Sequence, residues 1–117
     1  MLNVHEVKYV YIACGSTDLR KSIDGLAMIV QEYFQLDPFQ PALFVFCNRN
    51  RNRLKILHWD DNGFWLYTKR LEHGRFQWPK EQDELLKVDS NELKWLFDGH
   101  PIRYGRMFKK VKAERVI

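Results

Sequence analysis

The chain has 117 residues, of which 45% are apolar and 15% aromatic, so it is long enough for one unaided hydrophobic core and too apolar for a disordered protein. The formal net charge of +4 is modest, and no apolar run approaches the roughly 20 residues that cross a bilayer. We therefore expect a single domain over residues 1–117 that has no membrane partner and is located in the cytoplasm.

Positive charge is concentrated in two blocks of the chain. Residues 1–47 carry a net charge of −2, residues 48–80 carry +5, residues 81–100 carry −4 and residues 101–117 carry +5. Two basic blocks separated by an acidic one favour a polyanion such as nucleic acid as partner, although ordinary solvated surfaces show similar blocks.

The N-terminal half predicts a strand, a helix and a second strand. Val7 to Cys14 is rich in β-branched and aromatic residues and ends at a Gly-Ser pair, as strands do. Ser22 is a candidate N-cap for a helix whose apolar residues recur every three or four positions and which ends before Asp37-Pro38. Gly25 in its first turn indicates a close packing neighbour. The apolar run from Leu43 to Asn48 is typical of a buried strand.

The middle of the chain predicts a β-hairpin. The β-rich runs from Arg53 to Asp60 and from Phe64 to Arg70 flank Asp61-Asn62-Gly63, and Asn-Gly is the strongest short-range hairpin signal. We attribute the turn to the tolerance of Asn and Gly for positive φ, so Gly63→Val is expected to destabilise it.

A further strand and a short helix complete the predicted fold. Arg75 to Trp78 reads as a strand that ends at Pro79. Asp89 or Ser90 caps a helix that is followed by Gly99. The predicted class is α+β, with an antiparallel meander of about five strands, one N-terminal helix and one short C-terminal helix.

No motif of a nucleotide hydrolase, zinc protease or serine hydrolase is present in the sequence. The histidines and cysteines lack the ligand spacing of a zinc site; they are His5, His58, His73, His100, Cys14 and Cys47. We therefore expect no metal, no cofactor and two reduced, structural thiols.

The carboxylates support one alternative in which the protein is an enzyme. Asp60 closely follows His58, and Asp60 with Asp18, Asp24 and Glu72 would suit a two-metal phosphoryl-transfer site if the fold brought them together. Ordinary structural roles are also available. Asp24 lies in the first turn of the predicted helix, where a negative charge interacts favourably with the helix dipole, and the Asp18 side chain can form a hydrogen bond with the backbone of a turn. We favour these structural roles and predict no catalytic residue.

The most informative segment mixes cations with aromatic residues between positions 49 and 78. Cations neutralise phosphates while aromatic faces stack on unpaired bases, so a sheet of this composition suits DNA or RNA. The predicted nucleic-acid contacts are Arg49, Arg51, Arg53, Lys55, Lys69, Arg70 and Arg75. We expect affinity to reside there rather than in the basic C-terminal segment, since strands impose a geometry that a tail lacks. For the aromatic residues, burial in the core is the favoured alternative.

Two motifs resemble a family of transposon proteins. Residues 17–26 read TDLRKSIDGL and residues 69–79 read KRLEHGRFQWP. Together with the strand Leu43–Phe46, the RLK at residues 53–55 and Trp59-Asp60, they are similar to the small TnpB protein, the second-reading-frame product of insertion-sequence-66 transposons. The resemblance runs from about Cys14 to Gly99. The sequence departs from the family pattern at residues 50–52, where many relatives have a Gly-containing turn, and at His58, where an apolar or aromatic residue is commoner.

The resemblance implies an accessory role in transposition, beside a separate transposase that performs strand transfer. The motif positions of interest, besides the cations above, are Asp18, Arg20, Lys21, Asp24, Trp59, Asp60 and Trp78, and none is implied to be catalytic. The leading hypothesis is a non-enzymatic protein that binds transposon DNA, the transposase, or both, through its basic-aromatic strands. The alternatives are a protein-only adaptor whose basic blocks meet acidic partner surfaces, and, less favoured, a metal-dependent nuclease.

Overall fold

The structure, a computed structural model, describes residues 7–100 and the backbone of one later strand. Its elements are β1 Tyr9–Ala13, α1 Ile23–Met28, β2 Ala42–Cys47, β3 Arg53–Asp60, β4 Gly63–Arg70, β5 Glu84–Val88, α2 Ser90–Phe97 and β6 Lys109–Lys112. The end of the N-terminal helical segment, Ile29–Tyr33, is π-helical. The predicted α+β class, with one helix near each end of the domain, is confirmed.

The strands form one sheet in the order β4-β3-β2-β1-β5-β6. The predicted meander is found in β2, β3 and β4, which pair antiparallel in chain order. The sheet is not antiparallel throughout, however, because β1 pairs with β2 in parallel. The helical segment between these two strands supplies the long crossover that a parallel pair requires.

Both faces of the central strands are buried, so the domain has three layers. On the α1 face, Leu26 and Val30 belong to a cluster that contains Phe44 and Leu57 of the sheet. On the α2 face, helix residues pack with the alternate residues of the same strands; this cluster includes Val45, Ile56, Leu93 and Leu96. Every residue of β2 is buried, which explains why its sequence is continuously apolar rather than alternating.

The predicted strand at Arg75–Trp78 is wrong. Phe76 and Trp78 are buried in the α2-face cluster while Gln77 is exposed, and this alternation imitates a strand. The backbone, however, bonds to a loop rather than to a ladder: the Phe76 N–H donates to the Arg51 carbonyl at 2.7 Å. The segment therefore crosses over the sheet as a cover for the core. The strand that pairs with β1 is β5, which the sequence did not predict.

The predicted hairpin is confirmed, but the reason given for its turn is not. Asp60 pairs with Gly63 across a two-residue connection. The residue with positive φ in this turn is Asp61, at 61°, and not Gly63. A Cβ added at Gly63 would meet no atom within 4 Å, so the expected harm of Gly63→Val loses its structural basis.

Both helix starts lie where the sequence predicts them, although Ser22, the N-cap residue of α1, makes no side-chain capping hydrogen bond. Asp89 is the N-cap of α2 and forms a capping box with Glu92, since each backbone N–H donates to the other side chain at 2.8 Å. Gly99 follows the last turn with a φ of 91°, as a C′ glycine does. Gly25 also has the predicted close neighbour, because a Cβ there would lie 3.0 Å from Lys21 Cβ.

Candidate nucleic-acid interface

One end of the sheet gathers three loops. Since β1 and β2 are parallel, the loops that follow them lie at the same end, where β3 begins and β4 ends. The Thr17 N–H donates to the Cys47 carbonyl at 2.8 Å, and the Leu71 N–H donates to the Asn52 carbonyl at 2.8 Å. We call this region the basic end; its cations are Arg20, Lys21, Arg49, Arg51, Arg53, Lys55, Lys69, Arg70 and Arg75. The structure thus brings all seven predicted cations, and two from the first motif, to one end of the domain.

The loop between β2 and β3 is organised by one amide side chain. Asn48 Oδ1 accepts from the backbone N–H groups of Asn52 and Arg53 at 3.0 and 3.1 Å, and Asn48 Nδ2 donates to Asn52 Oδ1 at 2.8 Å. Arg51 has a φ of 60°, a left-handed conformation that glycine adopts without steric cost. The chain therefore keeps an arginine at a position where its backbone favours glycine.

Two arginines face each other across β3 and β4. Arg53 is registered directly opposite Arg70, and alternation along the strands places both on the α1 face together with Lys55. Like charges in this position repel each other. Arg70 Nε donates to Glu72 Oε2 at 2.9 Å, whereas no ion pair among the described residues engages Arg53. The arrangement leaves excess positive charge on the α1 face of the basic end.

The first motif reaches the same face. Lys55 Nζ donates to the Lys21 carbonyl at 3.2 Å, so this lysine ties β3 to the start of α1. Asp18 holds Arg20 in a fork, with the Arg20 Nε and Nη2 atoms at 2.9 and 2.7 Å from its two oxygens. The hydrogen bonds from the Arg20 side chain and backbone lower the pKa of Asp18 well below its usual range. Asp18 is therefore a carboxylate that fixes the loop, as the sequence predicts.

Lys69 differs from the other strand cations in its orientation. Its cross-strand neighbour is Leu54, a residue of the α2-face core, and its Nζ lies 6.0 Å from the centre of the Phe97 ring. Lys69 is thus on the face opposite to Arg53 and Arg70. A single phosphate backbone that follows the α1 face would not meet it.

The opposite end of the sheet is aromatic. Trp59 contacts Phe39 and Phe64 edge-on, with ring centres 5.0 Å apart in both cases. Trp65 is 54% exposed and donates from Nε1 to Asp60 Oδ2 at 2.9 Å. We call this region the aromatic end. The predicted mixed basic-aromatic surface is therefore separated into two surfaces, one at each end of β3 and β4.

Trp78 belongs to neither surface. It is 4% exposed, and its Nε1 donates to the Ala13 carbonyl at 3.0 Å. It is a core residue that joins the covering segment to β1, in line with the core alternative that the sequence favoured for the aromatic residues.

The two motifs, distant in sequence, both lie at the basic end: residues 17–22 of the first lie in the loop after β1, and residues 69–75 of the second span the end of β4 and the loop that follows it. The family model for IS66 Orf2-like proteins matches residues 8–106. The chain belongs to the IS66 Orf2-like family. It is 40% identical over 90 residues to "Uncharacterized protein y4hO" of Sinorhizobium fredii, covering 77% of this chain and 78% of that protein. It is 32% identical over 90 residues to "Uncharacterized protein y4jC" of the same organism, covering 77% of each. No solved structure matches.

The carboxylates of this IS66 Orf2-like chain do not converge. Asp60 lies at the turn before β4 and Glu72 just beyond its other end, so about 25 Å of strand separates them. Asp60 is engaged by Trp65 and Asp18 by Arg20. Among residues 7–100, no group of three or more His, Cys, Asp or Glu side chains could hold a metal ion. The two-metal arrangement considered from the sequence is therefore wrong for these residues.

The thiols and the remaining motif residues have structural surroundings. Cys14 and Cys47 are buried and do not form a disulfide. Burial raises the pKa of the Cys47 thiol to about 12, which keeps it protonated at neutral pH. Asp24 lies exposed in the first turn of α1. His58 is half-buried and stacks on Tyr67 with ring centres 6.4 Å apart. No described helix of this family member is long and apolar enough to cross a membrane.

Two exposed aromatic residues, Phe39 and Trp65, were not among the predicted site residues. Phe39 is 52% exposed and precedes β2 in a loop whose sequence carries no periodic signal. For Trp65 a signal was available, since it comes two residues after the hairpin turn and must lie at the turn end of the sheet. The basic C-terminal segment, apart from the backbone of β6, lies outside the described residues.

Proposed function

We propose that this IS66 Orf2-like protein assists transposition by binding DNA through its basic end, without catalytic activity of its own. Family membership supports the accessory role in transposition. The observation that supports DNA as the ligand is the opposed pair Arg53 and Arg70, flanked by Lys55 on the same face. Their Cα positions are about 5 Å apart across the strands and about 6.6 Å apart along them. Such a cluster gains most from a ligand that carries several phosphates.

Loop cations enlarge this surface. Arg49 and Arg75 are exposed on the loops that flank the pair, and Arg20 is 91% exposed at its side chain even though it is held by Asp18. Fixed loops cost less ordering entropy on binding than a flexible tail does. The proposed contact is therefore with the phosphate backbone, which positions a protein on DNA without specifying a sequence.

The exposed aromatic end favours a second contact, with the transposase of the same element. Trp65 and Phe39 are each more than half exposed, and large exposed aromatic side chains are enriched in protein interfaces. With the two surfaces at opposite ends of the sheet, one protein can hold DNA and the transposase at the same time. If DNA binding is absent, this surface supports the protein-only adaptor.

The test is a fluorescence-anisotropy titration of the purified protein with a labelled duplex from the element's end and an unrelated duplex of equal length. We expect binding to both, weakening steeply as salt is raised from about 50 to about 200 mM. Parallel incubation with Mg²⁺ or Mn²⁺ is expected to leave the DNA uncut. No binding at low salt, with or without the transposase, would contradict the DNA proposal, and metal-dependent cleavage that disappears in Asp60→Asn would contradict the absence of catalysis.

A further inference from the structure

The strand β4 forms one border of the sheet. It is the outermost strand in the order of the sheet, it has eight residues and it contains no proline. In the part of the chain that the structure describes, no backbone hydrogen bond outside the sheet ladder involves its residues. A long, regular border strand of this kind is a template for pairing with another strand.

The backbone groups that face outward can be identified from the hairpin. Asp60 and Gly63 close the turn and form a hydrogen-bonded pair, after which bonded and non-bonded pairs alternate along the ladder. The outward N–H and C=O groups therefore belong to Phe64, Leu66, Thr68 and Arg70. These four residues can accept a partner strand over most of the length of β4.

We propose that a second copy of this chain pairs antiparallel along β4, with Tyr67 opposite Tyr67 of the second copy. A twofold axis perpendicular to the sheet keeps the α1 faces of both copies on the same side. It requires that the backbone N–H and C=O groups of two opposite residues either both point outward or both point towards β3. Centring the axis on Tyr67 meets this requirement. It also pairs the outward groups of Leu66 with those of Thr68, and those of Phe64 with those of Arg70.

The side chains of β4 are complementary in this register. Trp65 lies opposite Lys69 of the second copy on the α2 face, and Phe64 lies opposite Arg70 on the α1 face. Each is a contact between a cation and an aromatic ring, which is attractive, and no pair of like charges is opposed. Moving the axis to Leu66 or to Thr68 loses the pairing of Arg70 with an aromatic residue. The self-complementary pattern identifies a second copy as the occupant.

Disulfide trapping tests the register. In the proposed dimer the Tyr67 positions form a non-bonded pair with Cα atoms about 4.5 Å apart, within the range of a disulfide. Tyr67→Cys is expected to form a covalent dimer under mild oxidation, faster than the matched variants Leu66→Cys and Thr68→Cys. The native cysteines are buried and give the background in the wild type. Faster trapping at position 66 or 68 would overturn the register.

The dimer itself is tested by sedimentation velocity in the absence of DNA. Thr68→Pro removes an outward N–H from an exposed border position, where proline is tolerated. By symmetry two hydrogen bonds are lost, so the dimer dissociation constant is expected to rise about 30-fold. A wild type that stays monomeric up to about 100 μM, a weak affinity even for a transient contact, would overturn the proposal, as would a folded Thr68→Pro variant that dimerises normally.

A charge-reversal pair keeps the proposal testable if Thr68→Pro does not fold. Trp65 and Lys69 are both exposed, but Trp65 also stacks on Tyr67 and donates to Asp60, so the folding of each variant is checked by circular dichroism. Trp65→Lys places two lysines opposite each other and is expected to weaken the dimer, while Trp65→Lys combined with Lys69→Glu is expected to restore it. Weakening without restoration would overturn the proposed pairing of Trp65 with Lys69.

Discussion

Replacing Arg51 with glycine should make the protein more stable and a weaker DNA binder. Arg51 has a φ of 60°, and a left-handed conformation costs a non-glycine residue about 1–2 kcal/mol. Glycine removes this cost but adds about 0.4–1 kcal/mol of unfolded-state entropy. The net gain in the free energy of unfolding is about 0.5–1 kcal/mol, or roughly 3 °C in Tm for a domain of this size.

Two further variants separate the backbone effect from the charge. Arg51→Ala removes the cation and keeps the left-handed backbone, so its DNA affinity should fall as in Arg51→Gly while its stability stays near that of the wild type. Arg49→Gly lies in the same loop at a residue without positive φ, so it should lose about 0.4–1 kcal/mol. Urea denaturation of the four proteins gives the free energies of unfolding, and DNA titrations give the affinities.

An Arg51→Gly variant no more stable than Arg51→Ala would contradict a backbone cost at residue 51, because the two variants differ only in the conformational freedom of that residue. DNA binding by both variants at the wild-type affinity would contradict a contact from Arg51. The first result would show that the left-handed backbone of residue 51 carries no free-energy cost. The second would show that Arg51 does not contact DNA.

Three other substitutions test the packing and the cap. Gly15→Ala should cost about 2–3 kcal/mol in urea denaturation, because Gly15 has a φ of 77° and an added Cβ would lie 2.9 Å from Gln82 Cα; a loss below about 0.5 kcal/mol would contradict this. Gly63→Val should change the free energy of unfolding by no more than about 0.5 kcal/mol, since the φ of Gly63 is not positive and the space around it is open. A larger loss would show that the hairpin turn requires glycine at this position. Burial raises the pKa of Glu92 in the folded protein above its ordinary value. The protonated side chain is therefore favoured by folding: its contribution to stability is fully present below the pKa of the unfolded chain and is lost as pH rises through the pKa of the folded protein. Relative to Glu92→Gln, which can keep the cap, the wild type should therefore lose stability as pH rises from about 4 to 7; the opposite trend would contradict this.

The elements that the sequence predicts correctly are those whose pattern comes from residues close together in the chain. The Asn-Gly hairpin, the buried run of β2 and the cap of α2 depend on neighbouring residues, and each lies where the sequence predicts it. The strand prediction for Arg75–Trp78 is wrong because alternation of buried and exposed residues shows only that one side of a segment is buried. A segment that covers the core produces this pattern as well as a strand does. Leu85 and Leu86 of β5 pack into opposite core clusters, so the buried strand has no alternation to reveal it.

The candidate site was predictable in its residue types and not in its arrangement. The cations stood out by composition, but the parallel pairing of β1 with β2 is a long-range property, and this pairing brings Arg20 and Lys21 beside the β2–β3 loop. The same register separates Lys69 from Arg53 and Arg70, which share a face. It also divides the expected basic-aromatic surface into two ends, since the turn places the aromatic residues far from the arginines.

The salt dependence of binding is the most direct test of the proposal that DNA contacts the α1 face of the basic end. Arg53→Ala combined with Arg70→Ala should reduce the slope of log K against log salt by about 1.8 for duplex DNA, the value for two lost phosphate contacts. The matched control is Lys8→Ala combined with Lys87→Ala, which removes two cations that lie over the Tyr9 ring near the other end of the sheet. With both variants shown to be folded, we expect a wild-type slope for the control. Equal slopes in the two variants, or no change in either, would contradict it.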